Sequence, residues 1–442
     1  MIVRKPSRAA ALLLTLTLAF ATGCGDDDEP DRPAADAGTQ TSTISGDLEV
    51  VGVWTGAEQR SFQAVLDGFK KTHPNINVKY RSAGDNVPTV VGTAVEGGRP
   101  PDFATIAQPG LIEEFAQKGA AKPLDFARDT VVENYSEDFV KQGTIDGKLH
   151  SVVFKAANKS TVWFNVKAFE DAGVEPPATF DELLEAAKTL KASGVPAYSI
   201  AGADGWTLTD LFENIYLRQA GPEKYDQLAK HEIKWTDQSV TEALETMAKI
   251  LGDKGNIAGG TSGALQTEFP VSVQNVFTAS PKAAMVIEGD FVPGVVADEN
   301  KLAPKTGYDV FAFPSVDGEG ANAVVGGGDS LVMFKDSPAA RALFEYLVSK
   351  EAHEIWAKRG GFSSPNKNVD ESVYPDDITR ATASAIGKAE TFRFDMSDLA
   401  PASFGGTPGQ GEWKILQDFL QKPSDVAGTA RKLEASAAKA FK

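Results

Sequence analysis

Between residues 47 and 118, short apolar runs alternate with amphipathic stretches. That alternation limits the fold more than any other feature of this chain. Residues 48–54 (LEVVGVW) are β-branched and apolar enough for a buried strand. Residues 58–71 carry Phe62, Val65, Leu66 and Phe69 at helical spacing, and His73-Pro74 ends that helix. A second strand is predicted over 76–80, a short helix over 88–96, a third strand over 102–107 and a third helix over 111–118. An order of this kind argues for a mostly parallel sheet with helices on both faces. Ligands of such sheets collect at the carboxyl ends of the strands, which here are followed by Trp54, Thr55, Gln108 and Pro109.

The pattern continues with a strand over 149–154 and another over 160–166 (STVWFNV). Helices are predicted over 181–192, 209–220 and 239–251, and strands over 283–287 and 308–313. Residues 323–334 hold Gly326, Gly327, Gly328 and Asp329 before an apolar run. The glycines read equally well as a tight bend or as a close backbone approach to a ligand. A long amphipathic helix is predicted over 338–359, capped by Ser337, with a glycine bend after it from Gly360. The last helices are expected over 412–420 and 427–442, and no repeat of 20–50 residues is present.

Charge and rare residues remove several function classes. The 442 residues carry a formal net charge of −17, which disfavours a sequence-independent grip on nucleic acid. One cysteine allows no intramolecular disulfide, and the four histidines stand at no metal-binding spacing. No metal or cofactor is expected. No phosphate-binding loop, dinucleotide fingerprint or nucleophile elbow is present.

The N-terminus has Arg4, Lys5 and Arg8 before the apolar stretch 9–21, then Thr22-Gly23-Cys24. A basic start and a short apolar stretch read as a secretory signal, too short for a membrane span. Residues 21–24 resemble a bacterial lipobox, which makes Cys24 the expected lipidated first residue after loss of residues 1–23. That loss takes the net charge from −17 to −20. Residues 25–45 are acidic and lack aromatics, as expected of a flexible tether.

Ten aromatics lie beside Gly, Pro or acid residues outside the helix stripes: Trp54, Trp163, Phe164, Trp206, Phe291, Phe362, Phe392, Phe394, Phe404 and Trp413. Sugars offer apolar CH faces to flat rings and hydroxyls to carboxylates and amides. Asp204-Gly205-Trp206, residues 288–291 and Arg393-Phe394-Asp395 have that pairing, although core packing explains any single cluster as well.

The order of several motifs resembles an extracellular solute-binding protein of a carbohydrate ABC importer, family 1, of the maltose-binding type. Residues 69–78 (FKKTHPNINV) match its helix-to-strand element, and Pro101-Asp102-Phe103 its third strand start. Residues 146–153 (DGKLHSVV) match the hinge run D-G-K-x-Y-G-hydrophobic, with His150 and Ser151 in the Tyr and Gly places and Phe154 where Pro is common. Residues 164–169 (FNVKAF), 177–183 (PATFDEL), 282–285 (KAAM) and Gly289-Asp290-Phe291 match further elements, Phe291 standing in the usual Trp place.

The resemblance implies a two-lobed α/β periplasmic-binding-protein fold of type II, with two discontinuous lobes joined by a hinge. Lobe one would be residues 47–154 and 316–365, and lobe two 155–315 and 366–442. It implies a carbohydrate ligand, an oligosaccharide or α-glucoside, in the cleft, held by Trp54, Glu58, Gln108, Lys155, Lys159, Asp204, Trp206, Asp290, Phe291, Asp329, Phe362, Arg393 and Trp413. It further implies a monomer without enzymatic activity, lipid-anchored outside the cytoplasmic membrane, with ABC permease subunits as partners. The rivals are a secreted glycoside hydrolase, which needs two carboxylates across a cleft such as Glu288 and Asp290, and an interaction lipoprotein without a small ligand.

Overall fold

A computed structural model describes residues 43–297 and 302–441. The signal segment, Cys24 and most of the expected tether lie outside the described residues. The first strand begins at Gly46, two residues earlier than expected.

Strands Gly46–Gly52, Ile76–Ser82 and Phe103–Ile106 are parallel, with Gly46–Gly52 in the middle of the three. Every residue of Phe103–Ile106 is buried, as suits a strand covered on both faces. Helices Gly56–Thr72, Val87–Glu96 and Pro109–Gln117 follow the three strands in turn. The eleven-residue strand Ala323–Met333 lies beside Phe103–Ile106 and runs antiparallel to it. A separate antiparallel sheet consists of Met285–Ile287, Thr161–Asn165 and Tyr308–Ala312.

Apolar side chains gather into two principal cores, one for each lobe. Leu48, Val50, Phe62, Phe69, Phe103, Leu343 and Trp356 belong to the first. Val162, Phe164, Leu183, Phe212, Leu244, Met285 and Leu416 belong to the second. Strand Ala323–Met333 serves both: Val325 packs in the second core, whereas Leu331 and Met333 pack in the first. Its antiparallel partner Ser151–Asn158 crosses beside it, from Ser151 opposite Val332 to Asn158 opposite Gly326. The pairing slips between Asp329 and Ser330, so that Phe154 is the extra residue of a bulge. Bulges bend a strand and re-aim side chains. Here Phe154 points among Trp54, Phe62, His353 and Trp356, while its neighbour Lys155 faces the cleft.

Three expectations need correction. Gly326, Gly327 and Gly328 form no bend; they lie inside the long strand, with none at positive φ. A Cβ on Gly326 would sit 2.2 Å from the Phe392 ring, and one on Gly328 2.7 Å from Val153 Cγ1, so close packing explains the run. The single helix over 338–359 is two, Pro338–Leu347 and Lys350–Ala357. Ser349 adopts extended backbone between them, and its hydroxyl accepts from Ala352 N at 3.3 Å, starting the second helix. The helix over 209–220 starts at Trp206, and helical backbone resumes to Ala229 after Gly221 at φ +80° and Pro222.

Candidate ligand-binding site

A cavity of about 790 Å³, counting space shared with solvent, lies between the two lobes. All three parallel strands end at it. Trp54 follows Gly46–Gly52, Asp85 follows Ile76–Ser82, and Gln108 follows Phe103–Ile106 and precedes helix Pro109–Gln117. Glu58 enters from the first turn of Gly56–Thr72. The crossing strands supply Lys155, Ala157, Gly328 and Asp329, and Lys159 follows directly. The opposite wall comes from helix starts and late segments: Trp206, Phe269, Phe291, Asp398 and Trp413.

The hinge side of the cavity is an ion network. Lys155 is 4 % exposed, and its ammonium lies 2.9 Å from Glu58 Oε1 and 4.7 Å from the centre of the Phe291 ring. Burial pulls the Lys155 ammonium down, but Glu58 and Asp329 outweigh it and leave it above its ordinary value. The Trp54 indole N–H donates to Asp329 Oδ2 at 2.6 Å. Burial raises the Asp329 carboxyl, against the pull of Lys155. Lys159 donates to Asp210 at 3.0 Å and to Asp395 at 2.5 Å, with Asp398 at 3.6 Å. Burial pushes Asp398 up to about 8, and the Asp395 charge adds to the push. Asp395 is held below the usual range despite burial, because Lys159 faces it and Asp210 and Glu213 hydrogen-bond to it.

The opposite wall is aromatic. Trp206, Phe269 and Phe291 pack together with ring centres 5.6, 6.1 and 5.1 Å apart. Beside them, Trp413 Nε1 is a buried donor without a protein partner, and Gln108 Oε1 a buried acceptor without one. Trp413 and Gln108 are 2 % and 5 % exposed, so bulk water hardly reaches them. A buried polar atom left unpaired is costly, which marks both for a ligand or bound water. Burial raises Asp85 to about 7, with Asp204 and Glu268 adding to the rise and the polar edge of the nearby Trp206 side chain opposing it.

Nine of the thirteen expected residues line this cavity: Trp54, Glu58, Gln108, Lys155, Lys159, Trp206, Phe291, Asp329 and Trp413. Four do not. Asp204 accepts from Phe269 N at 2.5 Å and so sits behind the wall, holding the start of helix Phe269–Val276. Asp290 accepts from the Ser363 hydroxyl across the cleft margin. Phe362 stacks on Trp356 at 5.1 Å inside the first core. Arg393 donates to Asp226 at 2.6 Å, on strand Thr391–Phe394. Neither Glu288 nor Asp290, the carboxylates of the hydrolase reading, lines the cavity. Among the other aromatics, Trp163, Phe164 and Phe404 are buried in the cores.

Asp85, Phe269 and Asp398 were missed. Asp85 obeys the strand-end rule that found Trp54 and Gln108, and Phe269-Pro270 opens a helix as Trp206 does. Asp398 carries no local signal; only the fold brings it beside Lys159 and Gln108.

A family model described as bacterial extracellular solute-binding protein matches residues 54–354. The osmoprotective compounds-binding protein GgtB of Synechocystis sp. is 34 % identical over 384 residues, covering 84 % of this chain and 88 % of that protein. The alpha-glucosides-binding periplasmic protein AglE of Rhizobium meliloti is 32 % identical over 401 residues, covering 87 % and 86 %. Among solved structures, the bacterial solute receptor AcbH superposes with a TM-score of 0.77 at 20 % identity, over 90 % of this chain and 100 % of that one. That likeness shows a shared two-lobed α/β fold.

Proposed function

The chain belongs to the bacterial extracellular solute-binding protein family, and from that premise we propose that it is a sugar receptor of an ABC importer. The sugar lies between the lobes and is delivered to the membrane permease. The observation that carries this reading is the orphan pair at the cavity: one unpaired donor, Trp413 Nε1, and one unpaired acceptor, Gln108 Oε1, beside a three-ring wall. A hydroxyl both donates and accepts, and a pyranose adds an apolar face for the rings. Both ammonium groups at the cavity are already partnered, Lys155 by Glu58 and Lys159 by Asp210, Asp395 and Asp398, which favours a neutral ligand over a phosphate or carboxylate.

The ligand-contacting set we propose is Gln108, Lys155, Trp206, Phe291 and Trp413, with Asp85, Phe269 and Asp398 added. Trp54, Glu58, Lys159 and Asp329 hold the charges of the hinge side in place. The two relatives' names favour an α-glucoside or an osmoprotective compound as ligand. Contacts made only when both lobes meet the sugar drive closure, with lobes divided as 47–154 with 316–365 and 155–315 with 366–442. The receptor acts as a monomer, turns over no substrate, and is tethered outside the membrane through Cys24. No helix among the described residues is long and apolar enough to cross a membrane.

Calorimetric titration of the purified chain with glucosides and galactosides tests the reading. One sugar bound per chain, recovered unchanged, is expected. Hydrolysed product, or no binding by any sugar, sinks it.

A further inference from the structure

We propose that Glu213, which does not line the cleft, is the positioning residue that holds Asp398 at the ligand. It acts as part of one buried polar stripe on the helix that starts at Trp206. This rests on the reading of the cavity as a sugar site with Asp398 among the ligand contacts, and adds to it what sets that contact.

Trp206, Thr209, Asp210 and Glu213 follow one another at i, i+3, i+4 and i+7, and so share one face of the helix. Trp206 stands in the cleft wall. The other three are polar and at most 2 % exposed, where a core helix face would carry apolar side chains. All three reach the same small region. The Thr209 hydroxyl lies 3.2 Å from the Ser397 hydroxyl, and Asp210 accepts from Lys159 at 3.0 Å. Met396 N donates to Glu213 Oε2 at 2.8 Å, and Ser397 N donates to Glu213 Oε1 at 3.1 Å. The Tyr225 hydroxyl, which stands beyond the break at Gly221, donates to the same Oε2.

The segment held in this way is Met396–Leu399, a helical turn of four residues. A single turn does not persist alone, because fixing its dihedrals costs more than its few hydrogen bonds contribute. Its anchors therefore decide where Asp398 points. Asp395 completes them: one carboxylate oxygen accepts from Asp398 N at 3.0 Å and the other from Lys159. Asp398 is buried and lines the cavity, its carboxyl 3.6 Å from the Lys159 ammonium. Trp206 and Asp398 are thereby fixed to one helix, so the aromatic wall and the carboxyl move together.

A double-mutant cycle with Asp398→Asn tests the assignment, read as calorimetric affinity for the glucoside or galactoside that the native chain binds best. Tyr225→Phe keeps the ring and removes one donor to Glu213. Glu213→Gln turns an amide NH2 group toward backbone N–H groups. Each is expected to lower affinity about fivefold or more in the native background, and by less than about twofold once Asp398→Asn is present. Tyr225→Phe is the milder change and carries the test alone where Glu213→Gln does not fold. Equal losses in both backgrounds, or a lowered melting temperature with unchanged affinity, show a purely structural role and overturn the proposal. An Asp398→Asn chain that binds as tightly as the native one overturns it too and leaves the sugar reading standing. A native chain that binds no sugar overturns both.

Discussion

Trp54 and Asp329 are 275 positions apart, yet the indole N–H of one donates to Oδ2 of the other at 2.6 Å. The bond ties the exit of the first strand to the bulge of the crossing strand. Trp54 is 1 % exposed and packs edge-on to Trp356 at 4.9 Å, so its ring is core and only its margin meets the cavity. Trp54→Phe keeps most of the packing and removes the donor from a buried carboxylate. A loss of about 1.5–3 kcal/mol in urea denaturation is expected. A loss under about 0.5 kcal/mol, the ordinary scatter of neutral substitutions, shows that Asp329 does not need the bond.

Trp413 and Trp206 separate packing from ligand contact. Trp413→Phe keeps the ring and removes the orphan N–H. Sugar affinity should fall by roughly five- to thirtyfold, the equivalent of about 1–2 kcal/mol, with little change in melting temperature. Trp206 is only partly buried. Trp206→Ala should weaken binding with little loss of folding, whereas Trp413→Ala should cost about 3–5 kcal/mol of stability because that ring is 2 % exposed. Unchanged calorimetric affinity in both Trp413→Phe and Trp206→Ala removes the aromatic wall from the site.

Lys155→Met leaves Glu58 and Asp329 facing each other without their cation. Breaking a buried pair costs about 3–5 kcal/mol, and the partial exposure of Glu58 lowers the expectation to about 2–4. Adding Glu58→Gln should restore part of it. A double variant no more stable than Lys155→Met alone contradicts the network.

Stability should rise as the solution is acidified from pH 7.5 to 5.5. Asp85 and Asp204 titrate at about 7 and about 6 in the folded chain, chiefly through burial, against about 3.9 when unfolded. Between about pH 4 and 7 the folded state therefore holds protons that the unfolded state has released, and stability falls as pH rises. Asp290, at about 6, and Asp398, at about 8, slope the same way. Buried His353, pushed down to about 3, slopes the other way as its unfolded form takes up a proton near pH 6.5, but it is one group against four; carboxylates held low, such as Asp237, act only below about pH 4. Asp85→Asn should flatten the slope without abolishing it, as read by melting temperature across the series. An unchanged slope removes Asp85 from the account.

Gly110→Val should hold the lobes apart, because the Ala400 carbonyl occupies the space of a side chain. Sugar binding more than tenfold weaker is expected, with scattering radii that do not contract on saturation. Contraction equal to that of the native chain shows that the contact yields.

The alternation of β-branched runs with helical stretches determined the α/β class and, through the strand-end rule, brought Trp54 and Gln108 to the cavity. Local chemistry determined caps as well: Thr179 and Glu182 form a reciprocal cap on helix Phe180–Ala192. What local pattern could not decide is which polar groups lose water. Trp206 and Phe362 look alike beside glycine, but one is half-open on the wall and the other lies under Trp356. Arg393 and Lys159 are equally plausible grips by type, yet Arg393 pairs outward with Asp226 while Lys159 is buried among Asp210, Asp395 and Asp398. The glycines at 326–328 read equally well as a bend or as a close approach to a ligand until the neighbours across the strand, Phe392 and Val153, were in place. Each of these outcomes depends on segments hundreds of residues away, because burial and pairing are properties of the assembled lobes and not of any stretch of chain.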